Sequence, residues 1–227
     1  MKLKFVTTCL SAVLMGSVLS ACAPLMFGSV VGGAMVASDR RTSGIQVEDE
    51  GIEQRAASAM RENFGTKEHI NITSYNRKAL ITGEVSNDVV RAQVEQLVGK
   101  VQNVSGVINE LAVGPASTTG DRASDAILVA KVKAAMVDSE DVFANVYKVV
   151  AERGNIYLMG RVTQREAQRA TEVVRGVSGV KRVVRVFEYL TEDELRAMQP
   201  KRKDEPVKQS SGPSAPAANA PVVTPIR

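Results

Sequence analysis

The chain has 227 residues, and 29 Lys and Arg against 25 Asp and Glu give a formal charge of +4. So small a basic excess does not describe a protein that binds nucleic acid by charge, but it is compatible with an anionic lipid surface. With one histidine, His69, and two cysteines, there are too few ligands for a Cys/His metal centre and no nucleophile–histidine pair, so no catalytic residues, metal or cofactor are expected.

In chain order, Lys2 and Lys4 open a basic start, and Phe5 to Leu19 form an apolar run. The run is about 15 residues, short of the roughly 20 that span a bilayer, and reads as a secretory signal peptide over residues 1–21. The next stretch, Leu19-Ser20-Ala21-Cys22, resembles the lipobox of bacterial lipoproteins. That resemblance implies a diacylglycerol thioether on Cys22, cleavage before it, and acylation of the new amine. Two or more acyl chains suffice for stable anchoring. Ala23 follows where enteric lipoproteins kept in the inner membrane carry aspartate, which implies the outer membrane. Cys9 leaves with the signal peptide, so no thiol remains for a disulfide. Residues 22–48 form the lipidated N-terminus. Within it the glycine-rich stretch Leu25–Ala37 reads as a flexible tether, or alternatively as a segment lying on the bilayer or pairing helices through Gly28 and Gly32.

Beyond the tether the chain repeats itself. Gly83-Glu84-Val85 answers Gly160-Arg161-Val162, Val104-Ser105-Gly106-Val107 answers Val177-Ser178-Gly179-Val180, and Met60 answers Met136, at offsets of 77, 73 and 76. Each copy, residues 49–114 and 123–190, parses as αββαβ: an α+β fold with a three-stranded sheet and two helices on one face. In copy one the pattern predicts a helix over 51–63, a hairpin of 70–75 with 79–85, a helix over 87–102 and a strand over 107–113. Residues 115–122 read as a linker. In copy two Ser124 is the expected N-cap of a helix over 125–138 carrying Leu128, Val132 and Met136. A hairpin of 146–152 with 155–162 should turn at Arg153-Gly154, before a Thr163-capped helix over 164–177 and a strand over 180–189. In that strand Val180, Val184 and Val186 are expected to face the helices, and Lys181, Val183, Arg185 and Phe187 the other side, with Tyr157 and Met159. Thr191 and Glu194 suit a capping box for one more short helix within the 191–227 extension, and the segment from Pro200 has the composition of a disordered tail.

The αββαβ repeat with Gly-x-Val after the second strand and Val-Ser-Gly-Val before the third resembles the BON domain. Two copies behind a lipobox, with Asp39-Arg40-Arg41-Thr42 ahead of the first and Tyr75-Asn76-Arg77 at its hairpin, resemble the dual-BON outer-membrane lipoproteins of Gram-negative bacteria. The resemblance implies two tandem BON domains on the periplasmic side of the outer membrane. It also implies binding of anionic phospholipid (phosphatidylglycerol or cardiolipin), a role in membrane integrity, and action at the division site. Nucleic acid is not an expected partner.

Copy two carries the charge excess, with eleven basic and eight acidic side chains over 123–190 against seven of each over 51–113. The apolar stripe of its first helix is wider than one buried face needs. One of Ile127 and Leu128 is therefore expected to stay exposed; Ile127, with Leu128 as the second candidate, is the expected apolar contact with lipid, and Lys131 and Lys133 the headgroup contacts. The family's membrane contact is associated with this helix, often through an aromatic residue near its start, where this chain has Ile127. The alternative is an anchored interaction module that touches envelope proteins or peptidoglycan through the exposed sheet and the tail. For the sheet face two readings stand: Tyr157, Met159 and Phe187 with Lys181 and Arg185 form an apolar patch rimmed by cations for an anionic bilayer, or Tyr157, Met159 and Phe187 pack against the other copy. His69 is expected to be an exposed residue ahead of a strand.

Overall fold

A computed structural model describes residues 39–198. The expected signal peptide, Cys22, most of the tether and the tail from residue 199 lie outside the described residues. The elements are α1 (Ser43–Phe64), β1 (His69–Tyr75), β2 (Lys78–Val85), α2 (Asp88–Gly99), β3 (Gly106–Asn109), β4 (Ala112–Val113), α3 (Thr119–Asp138), β5 (Lys148–Glu152), β6 (Asn155–Val162), α4 (Gln164–Arg175), β7 (Arg182–Tyr189) and α5 (Glu192–Met198). Each copy is αββαβ, as expected. In each sheet the second strand is central, antiparallel to the first and parallel to the last.

Several boundaries move, each for a local reason. Helix α1 starts well before residue 51 because the Thr42 hydroxyl accepts from the Ile45 N–H and caps it. Helix α3 starts at Thr119 rather than 125, because Thr118 and Asp121 form a reciprocal capping box. Ser124, the expected cap, instead donates its hydroxyl to the Gly120 carbonyl one turn back. The last strand of copy one breaks into β3 and β4, since the Asn109 side chain captures the Leu111 N–H.

Both hairpins turn through two residues with positive φ: Asn76 and Arg77 (49° and 64°), and Arg153 and Gly154 (54° and 78°). That is the left-handed pair of a type I′ turn. A buried aspartate one helix back holds each turn. Asp49 accepts from the N–H groups of Asn76 and Arg77, and Asp125 from those of Arg153 and Gly154. This equivalence extends the repeat from backbone pattern to side-chain function.

The copies bury their sheets against each other. One face of each sheet packs on its own helices: Met60, Ile81, Val94 and Val98 in copy one, and Leu128, Val132, Met136, Ile156, Leu158 and Val174 in copy two. The opposite faces meet through Tyr75, Leu80, Tyr157 and Met159, with Ile108, Val150, Val184 and Val186 around them. The order is helices, sheet, sheet, helices. Tyr157 and Met159 therefore pack against the other copy. Phe187 and Val183 do not: they join the helix-side core, and Val184 and Val186 take the interdomain side, opposite to the expected parity. An interaction module built on an exposed sheet face is not available, because each sheet covers the other.

Polar clamps rim this interface. Arg40 binds Glu166 through two short bonds (2.6 and 2.8 Å) and donates to the Arg161 carbonyl. Asn76 donates to Glu188, Lys148 pairs with Glu53, and Arg182 with Glu110. Burial opposes the Glu166 charge, but Arg40 and the Thr163 N–H outweigh it and hold the carboxyl below the ordinary glutamate value of 4.5. The bond thus stabilises the fold above that pH and is lost as the pH falls through the lower folded value. Arg40→Ala should cost about 2–3 kcal/mol at pH 7, since it strands a buried carboxylate that keeps its capping bonds. The parent and variant should converge in urea titrations as the pH falls below the folded value of Glu166. An equal gap above and below that value would show that the ion pair is not the cause.

Candidate functional site

The first helix of copy two carries two apolar stripes. Asp125, Leu128, Val132 and Met136 point inward. Ala123, Ile127, Ala130, Ala134 and Val137, spaced four, three, four and three apart, form an exposed ridge on the other side. Ile127 is 59% exposed and Val137 71%, and Phe143, in the loop after the helix, is 63% exposed. Lys131 flanks the ridge on one side, one turn from Ile127, and Lys133 lies on the other flank. Neither lysine enters an ion pair among the described residues. Arg165 and Arg169, by contrast, face Glu192 and Asp141.

Of the expected contacts, Ile127, Lys131 and Lys133 are exposed. Leu128 is not: at 6% exposure it belongs to the helix-side core, its methyl group lying over the turn at Gly179. Its expected lipid contact is corrected on that ground, because a side chain already surrounded by core has no surface to offer a bilayer. Cys22 lies outside the described residues.

Ile127 and Lys131 also line an open groove of about 790 Å³ between the linker, the Arg153-Gly154 turn and the Ser178-Gly179 turn. Lys181 and Arg153 share it, along with Glu84, Asp121 and Asp125. The groove therefore unites the helix lysine with Lys181, which sequence reasoning had assigned to a separate surface. Lys133 is not among its lining residues.

A second constellation lies between the copies. His69 opens β1, opposite Glu84 on β2, and its Nδ1 is 2.9 Å from Glu84 Oε2 and 3.9 Å from Glu152 Oε1. It is neither ahead of the strand nor exposed: its side chain is 13% accessible. The Ser117 N–H donates to Glu84, the Ser117 hydroxyl lies 3.1 Å from His69 Nδ1, and the Asn71 amide donates to Glu152. Burial acts against the Glu84 charge, but the bonds from Ser117 and His69 overcome it and lower the pKa. Glu152 moves the other way, pushed up by burial and by the charges of Glu84 and Asp125 against the opposing Asn71 bond and His69 charge. Sequence reasoning missed this cluster. The two-residue turn at Asn76-Arg77 fixes His69 opposite Glu84, which was within reach, but Glu152 arrives from the other copy.

Comparison with known proteins places the chain in a family. The BON domain matches the chain twice, at residues 48–115 and 124–191. Outer membrane lipoprotein DolP of Haemophilus influenzae is 35% identical over 183 residues, covering 79% of this chain and 95% of that one. The 21 kDa hemolysin of Actinobacillus pleuropneumoniae is 30% identical over 154 residues, covering 67% and 79%. Neither the family nor these relatives bears the name of an enzyme. Among solved structures, CdsD, a structural protein of the type III secretion system of Chlamydia trachomatis, matches with 11% identity and a TM-score of 0.27 over 64% of this chain and 95% of that one, a likeness too slight to bear on function.

Proposed function

The chain belongs to the BON-domain family, and from that membership we propose that it is an outer-membrane lipoprotein, anchored through Cys22 and facing the periplasm. It binds anionic phospholipid with the first helix of copy two and so helps maintain the outer membrane, including at the division site. The observation that carries this reading is the second, exposed apolar stripe of α3, flanked on both sides by lysines that make no ion pair among the described residues. A helix that already fills its core with Leu128, Val132 and Met136 has no structural need of Ile127 and Val137. Such a ridge suits the boundary between headgroups and acyl chains, where the apolar side sinks and the cations remain in the headgroup layer.

The energies are modest. Each lysine adds about 1 kcal/mol near an anionic surface, screened within a Debye length. Burial of the ridge adds about 25 cal/mol per Å². The sum is weak for a free protein, but a lipid anchor holds the domain at the surface and raises its effective concentration. The groove beside the ridge adds Lys181 and Arg153 as further contacts for a phosphodiester.

Ile127→Glu should reduce binding of the unlipidated chain to phosphatidylglycerol vesicles by about tenfold or more, since it replaces an apolar contact with a repelled charge. Lys131→Glu should do so at low salt and much less at 1 M. Co-sedimentation with vesicles, beside circular dichroism to verify the fold, measures both. If folded variants bind like the parent, α3 is not the membrane contact, and the domain pair acts as a protein-interaction module on its outer helices.

A further inference from the structure

We propose that His69, Glu84 and Glu152 bind a divalent transition-metal ion, zinc being the best fit, that ties the two BON domains together across their interface. The ligand atoms of the three residues all lie within 4.8 Å of one another. Donors around tetrahedral zinc, with bonds of about 2.0–2.2 Å, are separated by about 3.3 Å. His69 Nδ1 lies 2.9 Å from Glu84 Oε2 and 3.9 Å from Glu152 Oε1, and with all three ligand atoms within 4.8 Å of one another, side-chain shifts of up to about 1.5 Å would bring them onto one ion.

An independent observation points the same way. Glu84 is 1% exposed, and its Oε1 has no hydrogen-bond partner. Its nearest cation is the Arg153 Nε at 3.8 Å, beyond bonding distance. Glu152 is 5% exposed beside it. Two buried carboxylates, one with an oxygen that accepts no hydrogen bond, face one imidazole and the more distant Arg153 guanidinium, and a divalent cation would complete the charge balance while taking up that oxygen.

The surroundings supply what a metal site needs. Ligation of Nδ1 puts the ring proton on Nε2, 3.1 Å from the Asn71 amide nitrogen; turning the carboxamide oxygen to accept that proton gives up the 3.0 Å bond Asn71 donates to Glu152, whose carboxylate the ion would hold instead. Ser117 fixes Glu84 through its N–H, and its hydroxyl, 3.1 Å from Nδ1, lies beside the fourth position. Glu84 and Ser117 both line the open groove, which gives an ion a route in. The donor set of one imidazole nitrogen and carboxylate oxygens, with no thiolate, suits zinc and other divalent first-row ions rather than soft ions such as Cu(I). Copy two has no counterpart: Arg161 stands where copy one has Glu84. The site thus belongs to the pairing of the copies, two ligands from one and one from the other.

The test uses the full lipoprotein in detergent, stripped with chelator and titrated with zinc chloride. Calorimetry should give one zinc per chain, and a hundredfold excess over Kd should raise the melting temperature by roughly 5 °C or more. His69→Gln and Glu152→Gln should each weaken binding by more than the roughly 10- to 100-fold that outer-shell changes cost. Zinc X-ray absorption on the parent protein, which needs no variant to fold, should show one imidazole nitrogen and carboxylate oxygens in the inner shell. No binding, undiminished binding by Glu152→Gln, or an inner shell without a nitrogen would overturn the proposal, and none of these results bears on the membrane contact of α3.

Discussion

Gly83→Ala is expected to lower the melting temperature by about 10 °C or more, and the matching Gly160→Ala by only about 3 °C. The two glycines hold the same place in the repeat, just ahead of Glu84-Val85 and Arg161-Val162. Their surroundings differ. Gly83 has φ of +116°, and a Cβ there would overlap the His69 carbonyl oxygen on the paired strand and lie 2.9 Å from its carbon. The obstacle is backbone, so only separation of β1 from β2 relieves it. Strain in φ of about 1–2 kcal/mol adds to an overpacking cost of about 1–3 kcal/mol, a total of roughly 3–5. Gly160 has no positive φ to lose, and its Cβ would meet the Val146 oxygen at 3.0 Å and the Tyr147 ring at 3.4 Å, where a shift of a few tenths of an ångström suffices. Calorimetric melting of both variants decides the matter. Equal losses would mean that the glycine serves the repeat as a whole rather than the close approach of the His69 carbonyl to Gly83.

What could be read from the sequence follows from which interactions are local. The repeat, the element order and the Thr163 cap depend on neighbours in the chain, and they stand where they were expected. The parity of β7 does not. Alternation assigns a face only when one side of a strand is wet, and Val183, Val184, Val186 and Phe187 are apolar because each side of β7 packs on a core, the helix-side one or the interdomain one. The motif Asp39-Arg40-Arg41-Thr42 was recognisable as a pattern, but its roles needed the fold: Arg40 clamps Glu166, Arg41 pairs with Asp49, and Thr42 caps α1. Ile127 was legible because one helix carried more apolar residues than one core face uses. The groove was not, since its walls come from a linker, a helix and two turns far apart in the chain. Nor was the His69 cluster, whose third member lies in the other copy.

Asp49→Ala is expected to cost about 3–5 kcal/mol, and Asp125→Ala, the same substitution one repeat later, about 2–3 kcal/mol. Both aspartates hold a left-handed hairpin turn by accepting two backbone N–H groups. In copy two the turn contains Gly154, which adopts positive φ without strain. In copy one both turn residues, Asn76 and Arg77, carry side chains, so the carboxylate must hold a costlier backbone. Asp49 also accepts from the Ser74 hydroxyl and from Arg41, at 2.7 and 2.8 Å, while itself 1% exposed. Its removal takes away one of the two carboxylates that hold the Arg41 guanidinium, leaving Asp39 alone to position it 4.2 Å above the Tyr75 ring. Tyr75 is one of the four buried residues at the centre of the interface between the sheets. The damage should therefore travel from a turn in copy one to the pairing of both copies. Urea unfolding followed by tyrosine fluorescence measures the cost, and hydrogen exchange measures where it falls. Asp49→Ala should speed exchange on β6 of copy two as well as on β1, whereas Asp125→Ala should speed it in copy two first. Exchange confined to copy one in Asp49→Ala would show that Arg41 and Tyr75 do not couple the turn to the interface.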